Sequence, residues 1–239
     1  LLMIPQLAIH YNRDVNDAYK LNPQEHLVPV MGLTDKPVND DLIKEMLASE
    51  IKIKKADIIN FDLELYAVQK GTVWGADSEF VSNRGIDNKS MVHASVTALL
   101  ETKVQDSTVI AALYDNEEVG SSTTNGGKSS FTADVLERLC RTDKKNFLRA
   151  VTVSYYMSAD GAHALHPNYT GKFDNLNKVY INKGPVIKIN ANTNYATTAE
   201  SSAVFEIVCN DRKIPYQKFV NRSDVRGGGT IGSMIASNL

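Results

Sequence analysis

The chain has 239 residues, enough for one large domain, or for one domain plus part of another, with material for a buried core. Apolar residues make up 43% and charged residues 23%, the proportions of an ordinary soluble protein. A net charge of −2 gives no electrostatic reason to expect nucleic acid or an anionic membrane surface, so neither is expected and small partners are favoured.

The opening LLMIPQLAIH breaks at Pro5 and His10 with no basic region before it, so it does not read as a signal peptide. No apolar run approaches the ~18 residues of a membrane span. The start at Leu1 rather than Met leads us to expect a portion of a longer polypeptide. Residues 1 to about 55 look irregular, with Pro5, Pro23, Pro29 and Pro37, until LIKEMLASEI predicts a short helix with Asp40 and Asp41 as cap candidates. Ile59, Phe61, Leu63, Leu65 and Ala67 then alternate with Asn60, Asp62, Glu64 and Tyr66, which predicts a strand with one wet face. A boundary placed there divides the chain into residues 1–68 and 69–239.

Beyond Gly85, DNKSMVHASVTALLE places Met91, Ser95, Ala98 and Thr102 on one helical face beside Val92, Val96 and Leu99, with Asp87 or Asn88 as cap. STVIAALYD reads as a buried strand, SFTADVLERLCR as a helix, AVTVSYYM and GPVIKIN as further buried strands, TAESSAVFEIVCND as a helix and YQKFV as a short strand. The Gly-rich RGGGTIG is a tight turn that lets backbones approach, opening a final helix. Buried strands alternating with helices imply an α/β fold, a mostly parallel central sheet with helices on both faces. Cys140 and Cys209 fall in helical patterns without CxxC spacing, which argues against a disulfide framework or a thiolate zinc site and fits a reducing, cytoplasmic compartment.

The stretch YDNEEVGSSTTNGGKSS, residues 114 to 130, supports two opposed readings. A phosphate loop needs G-x-x-x-x-G-K-S, so that successive N–H groups aim at one phosphate. Here Gly120 precedes Gly127, Lys128 and Ser129 in the wrong register, and Glu117 and Glu118 would repel the phosphate. The Gly-Lys-Ser half is therefore read as a flexible turn. The acidic half reads as metal binding. In an open α/β sheet ligands sit at the carboxyl ends of the parallel strands, where Asp115 to Glu118 and Asp160 fall, with Asp87 at a helix start. Carboxylates packed into one crevice raise one another's pKa unless a cation compensates, and adjacent Glu117 and Glu118 can divide the tasks of base and ligand. Taken singly, each has a plainer reading: EE pairs abound on solvated helix faces, Asp87 could cap a helix and Asp160 could form a turn.

GIDNKSMVHASVTALL, DNEEVGS, SADGAHALHPNYTGKFD and NKGPVIKINANTNYAT closely resemble the aspartyl aminopeptidase and aminopeptidase I family of dizinc exopeptidases, and a bacterial member and a partial chain are expected. LAIHYNRDVNDAYKLNPQEHLVPVMG resembles part of that family's β-rich dimerisation domain. The resemblance implies a zinc exopeptidase-like fold in which Asp87 bridges two zinc ions, Glu118 ligates one and Asp160 the other, with manganese or cobalt as alternatives. It implies that Glu117 is the general base that deprotonates the attacking water and passes the proton to the leaving amine. His163, His166, Lys188 and Tyr195 correspond to substrate-contacting positions, and His10 to a histidine that reaches a neighbouring subunit's site. His163 would donate to the oxyanion, and Lys188 could pair with an acidic substrate side chain, while His93 and His26 are read as ordinary packed or loop residues. Peptides with a free N-terminus are the implied substrates and a homo-oligomer, a tetrahedral dodecamer, the implied assembly.

The family's two histidine ligands, one in an N-terminal HxD motif and one near the C-terminus, are not among the five histidines here. The alternatives to an aminopeptidase are another dizinc amide hydrolase, a deacylase or carboxypeptidase using Arg84 or Arg226 to clamp a carboxylate, and a structural relative that has lost its metal.

Overall fold

A computed structural model describes the chain except for residues 1, 6, 7, 12, 14 to 16, 19, 36, 104, 105 and 226. It divides into two compact units, Leu1–Tyr66 and Ala67–Leu239.

In the first unit, Met3 and Val30 form an isolated antiparallel bridge. Asn22 caps α1 (Pro23–His26) by accepting from the Gln24 N–H at 3.0 Å, with Pro23 at the first position, where the missing N–H costs nothing. α2 (Asp40–Ile51) is the helix expected from LIKEMLASEI, but its cap position falls on Asn39 rather than on Asp40 or Asp41. Lys55, in the short 3-10 turn that follows, reaches Glu45 at 3.1 Å and Asp41 at 3.6 Å. The strand expected over 59–67 is not in a ladder: Ile59, Leu63 and Leu65 are exposed, and among the described residues no strand pairs with them. Alternation marks a segment that could pair, and pairing needs a neighbour to take its N–H and C=O groups.

The second unit opens with an antiparallel hairpin, β1 (Thr72–Trp74) and β2 (Phe80–Ser82), in which the Trp74 and Phe80 rings stack at 4.6 Å. α3 (Ile86–Glu101) follows, then α4 (Phe131–Cys140) and α5 (Lys144–Thr152). Asp87 and Asn88, the expected caps, have non-helical backbone angles ahead of the regular turns, and the Asn88 side chain makes no capping bond, its Oδ1 lacking a partner and its Nδ2 turning to the Ala159 carbonyl. The strand expected from AVTVSYYM is also corrected, because α5 runs through its first three residues, 150–152. Asp143 accepts from the Asn146 N–H at 2.8 Å and nucleates a helix that buries Phe147. Residues 108–114 and 154–158 are outside any ladder, with Val109, Leu113 and Met157 exposed.

GPVIKIN and YQKFV form the strands expected of them. β3 (Val186–Ile189) pairs in parallel with β4 (Gln217–Val220), Val186 opposite Gln217 through Ile189 opposite Val220. The crossover is α6 (Ala199–Asp211), which starts at a reciprocal capping box between Thr198 and Ser201. Glu206 on α6 accepts from Ser202 at 2.8 Å and Tyr216 at 3.0 Å and meets Lys218 at 2.9 Å, pinning helix to strand. The final helix α7 (Ile231–Ala236) begins at Thr230, which is buried. Ile187, Cys209 and Ile235 are buried in this unit.

Candidate metal centre

Four acidic side chains are gathered in the second unit. Asp87 precedes the regular part of α3, and its neighbour Asn88 donates from Nδ2 to the Ala159 carbonyl at 2.9 Å, fastening that helix start to the segment that carries Asp160. The Asp87–Asn88 peptide is cis. A Cβ on Gly161 would stand 3.0 Å from Asp87 Oδ1, so it is glycine that lets the Asp87 carboxylate lie against the chain beside Asp160.

Glu117 and Glu118 sit in the turn after residues 108–114. Burial, then the charges of Glu118, Asp160 and Asp87, push the Glu117 carboxyl above its ordinary value, and Lys188 opposes them. Three carboxylates and one ammonium thus act on Glu117 together. Lys188 Nζ meets Asp160 Oδ2 at 2.7 Å, both partly buried, and lies 5.7 Å from the Tyr195 ring centre. Tyr195 is buried, and burial followed by the Asp160 charge raises its phenol. Lys188 is therefore held from β3 against Asp160, a carboxylate of the protein itself.

The donor set is one of hard oxygens in mutual repulsion, and the buried Oδ1 of Asn88 beside it has no hydrogen-bond partner. A divalent cation fits such a set. Among the described residues no three side chains of His, Cys, Asp or Glu stand close enough to hold one ion. Asp87, Glu118 and Asp160, the ligands that the resemblance implies, would thus supply only part of a coordination shell.

The glycine half of the 114–130 stretch is packed rather than flexible. Gly126 and Gly127 are buried, Asn116 bridges to Gly126, and the Lys128 N–H donates to the Ser121 carbonyl at 3.0 Å. Ser121 Oγ donates back to the Glu117 carbonyl at 2.5 Å. A Cβ on Gly126 would collide with the Ser121 carbonyl. The glycines serve the carboxylates by letting the loop fold back beneath Glu117 and Glu118.

His163 and His166 follow Asp160 and are exposed; His166 Nδ1 accepts from the Asn168 N–H at 3.1 Å and its ring lies 4.9 Å from that of Tyr169. His10 is exposed in the 3-10 turn Ile9–Tyr11 of the first unit. Arg226, one of the candidate carboxylate clamps, lies outside the described residues. Asn88 and Gly161 went unnoticed in the sequence, although both adjoin residues already singled out. Contacts such as theirs leave no periodic trace.

No helix among the described residues is long and apolar enough to cross a membrane. The family described as aminopeptidase I zinc metalloprotease (M18) matches residues 1–239. A probable M18 family aminopeptidase 2 of Clostridium acetobutylicum is 45% identical over 242 residues, covering 100% of this chain and 56% of that protein. The chain thus spans about half the length of the curated relatives it matches. A chain in the cryo-EM structure of the Ape4 and Nbr1 complex superposes with a TM-score of 0.89 at 34% identity, over 99% of this chain and 50% of that one. The structure of the S. cerevisiae mApe1 dodecamer gives 0.69 at 23% identity over 91% and 52%. The α/β, zinc exopeptidase-like fold follows from these likenesses. A match along the full chain, together with the acidic cluster above, makes this chain a member of the M18 family of aminopeptidase I zinc metalloproteases.

Proposed function

We propose that the protein is a metallo-aminopeptidase that hydrolyses the first peptide bond of short peptides. Asp87, Glu118 and Asp160 are the carboxylate ligands of two zinc ions, and Glu117 is the general base. When bound, the metal supplies Lewis acidity toward the scissile carbonyl and the attacking water. Glu117 accepts a proton from that water as oxygen attacks the carbonyl carbon, then delivers it to the amine as the C–N bond breaks. A carboxyl raised above its ordinary value by burial and neighbouring charges takes a proton more readily than an ordinary carboxylate, which suits it to this work. His163 donates to the oxyanion, His166 and Tyr195 line the substrate pocket, and Lys188 offers its ammonium to an acidic side chain. His10 completes the site of a neighbouring subunit in a homo-oligomeric shell, a dodecamer, with residues 1–68 in the dimerisation domain and 69–239 in the catalytic one. The compartment is cytoplasmic, and manganese or cobalt can replace zinc.

The observation that carries this reading is the convergence of Asp87, Glu118 and Asp160 on a raised Glu117. It is tested by following hydrolysis of aspartyl-, glutamyl- and leucyl-p-nitroanilide by the intact protein, with and without added zinc or manganese. Metal-dependent cleavage is expected, and the favoured substrate reports the side-chain preference. A metal-loaded protein that cleaves none of the three, but removes an acyl group or a C-terminal residue, would replace this reading with a deacylase or carboxypeptidase.

A further inference from the structure

The first turn of α7 touches three segments of the centre at once. A Cβ on Gly127 would lie 3.2 Å from Ile231 Cβ and Cγ2, so the loop beneath Glu117 and Glu118 rests on Ile231. A Cβ on Gly232 would lie 2.8 Å from Ser158 Cβ, so the segment leading to Asp160 rests on Gly232, and Ser158 Oγ meets Thr230 Oγ1 at 3.4 Å. Ser233 Oγ donates to the Asn194 carbonyl at 3.4 Å, next to Tyr195. Thr230, Gly232 and Ile235 are buried, so these contacts are backed by packing. From Ala159 the path continues through the Asn88 side chain to Asp87.

We propose that the first turn of α7, residues Thr230 to Gly232, positions the acidic cluster, setting the spacing between the Glu117–Glu118 turn and Asp160. Carboxylates that repel one another cannot set that spacing themselves, and the packing of Gly127 on Ile231 and of Ser158 on Gly232 ties both segments to one helix turn. Gly127 in NGGKS and Gly232 in RGGGTIG then act alike: each lacks a Cβ where an opposing side chain, Ile231 or Ser158, comes close. Ile231, Gly232 and Gly127 are positioning residues and touch no substrate.

This inference rests on the metal reading proposed above, so the test reads metal binding rather than turnover alone. The zinc affinity of the intact protein is measured by chelator competition, and manganese affinity by calorimetry, for wild type, Gly232→Ala and the exchange pair Gly232→Ala with Ser158→Gly. Alanine is the better helix former, so on propensity alone Gly232→Ala would strengthen α7. Instead it should weaken metal binding by about tenfold, the lower end of what outer-shell substitutions cost, and the pair should recover most of that loss. Should Gly232→Ala fail to fold, the milder Gly127→Ala, with and without Ile231→Leu to remove Cγ2, asks the same question. Wild type that takes up no metal overturns the metal reading itself. Wild type that binds, while Gly232→Ala or Gly127→Ala binds equally well, overturns only the positioning role, as does an exchange pair that regains thermal stability without regaining metal affinity.

Discussion

Between Pro185 and Val220 the chain is held by regular means: a parallel ladder, a helix with a reciprocal cap, and Glu206 tied to Ser202, Tyr216 and Lys218. Between Asp115 and Ser130 it is held by irregular ones: a lone bridge, a serine hydroxyl returning to the Glu117 carbonyl, and two buried glycines. The first region carries Lys188 and the second carries Glu117 and Glu118. A strand and helix can hold one residue in place by repetition. A turn that must present two adjacent carboxylates in different directions has no repeat to use, and close backbone packing takes its place.

Substitutions in the two regions should therefore fail differently. Ile187→Ala, in the buried face of β3, should lower stability by about 2–4 kcal/mol in denaturant titrations while the remaining folded protein keeps its metal affinity. Gly126→Ala should cost about 1–3 kcal/mol, because its Cβ would meet the Ser121 backbone and force the packed loop to shift. That shift moves Glu117 and Glu118, so metal binding should suffer more than stability; equal metal affinity in the two variants would erase the contrast. Lys188→Met removes a positive charge that holds Glu117 down. Activity requires ionised Glu117, so the acidic limb of the kcat/KM profile should move to higher pH, and a limb that stays or moves lower would contradict the proximity of the two groups. The smallest effect is expected at Glu206, whose bonds to Lys218, Ser202 and Tyr216 hold its carboxyl below its ordinary value. Its contribution is fully present above that value and is lost as pH falls through the lower folded value. Glu206→Gln should flatten that acid limb of the stability curve and leave neutral-pH turnover unchanged.

The helices at Asp40–Ile51, Ile86–Glu101, Phe131–Cys140 and Ala199–Asp211 were legible because an apolar stripe at helical spacing needs only local sequence. β3 and β4 were legible as short apolar runs between turn residues. The same signal in residues 59–67 and 108–114 yields no ladder, since pairing depends on a neighbour that periodicity cannot name. The helix Lys144–Thr152 was hidden by the β-branched run at its end, and its announcement was the capping Asp143. At the site, the acidic residues could be named, with their roles drawn from the family resemblance. The contacts that hold them could not, because the meeting of Gly127 with Ile231 or of Gly232 with Ser158 joins positions far apart in the chain. RGGGTIG showed that some backbone approached closely there, without saying which.

The most direct test of the account separates the two adjacent carboxylates. Metal content and aminoacyl-p-nitroanilide turnover are measured side by side for wild type, Glu117→Gln and Glu118→Ala. A base and a ligand should part company: Glu117→Gln keeps its metal and loses turnover by about 10²–10⁴-fold, whereas Glu118→Ala loses metal. A fully active Glu117→Gln, or a Glu118→Ala that retains the full complement of metal, would contradict the assignment of roles on which the account depends.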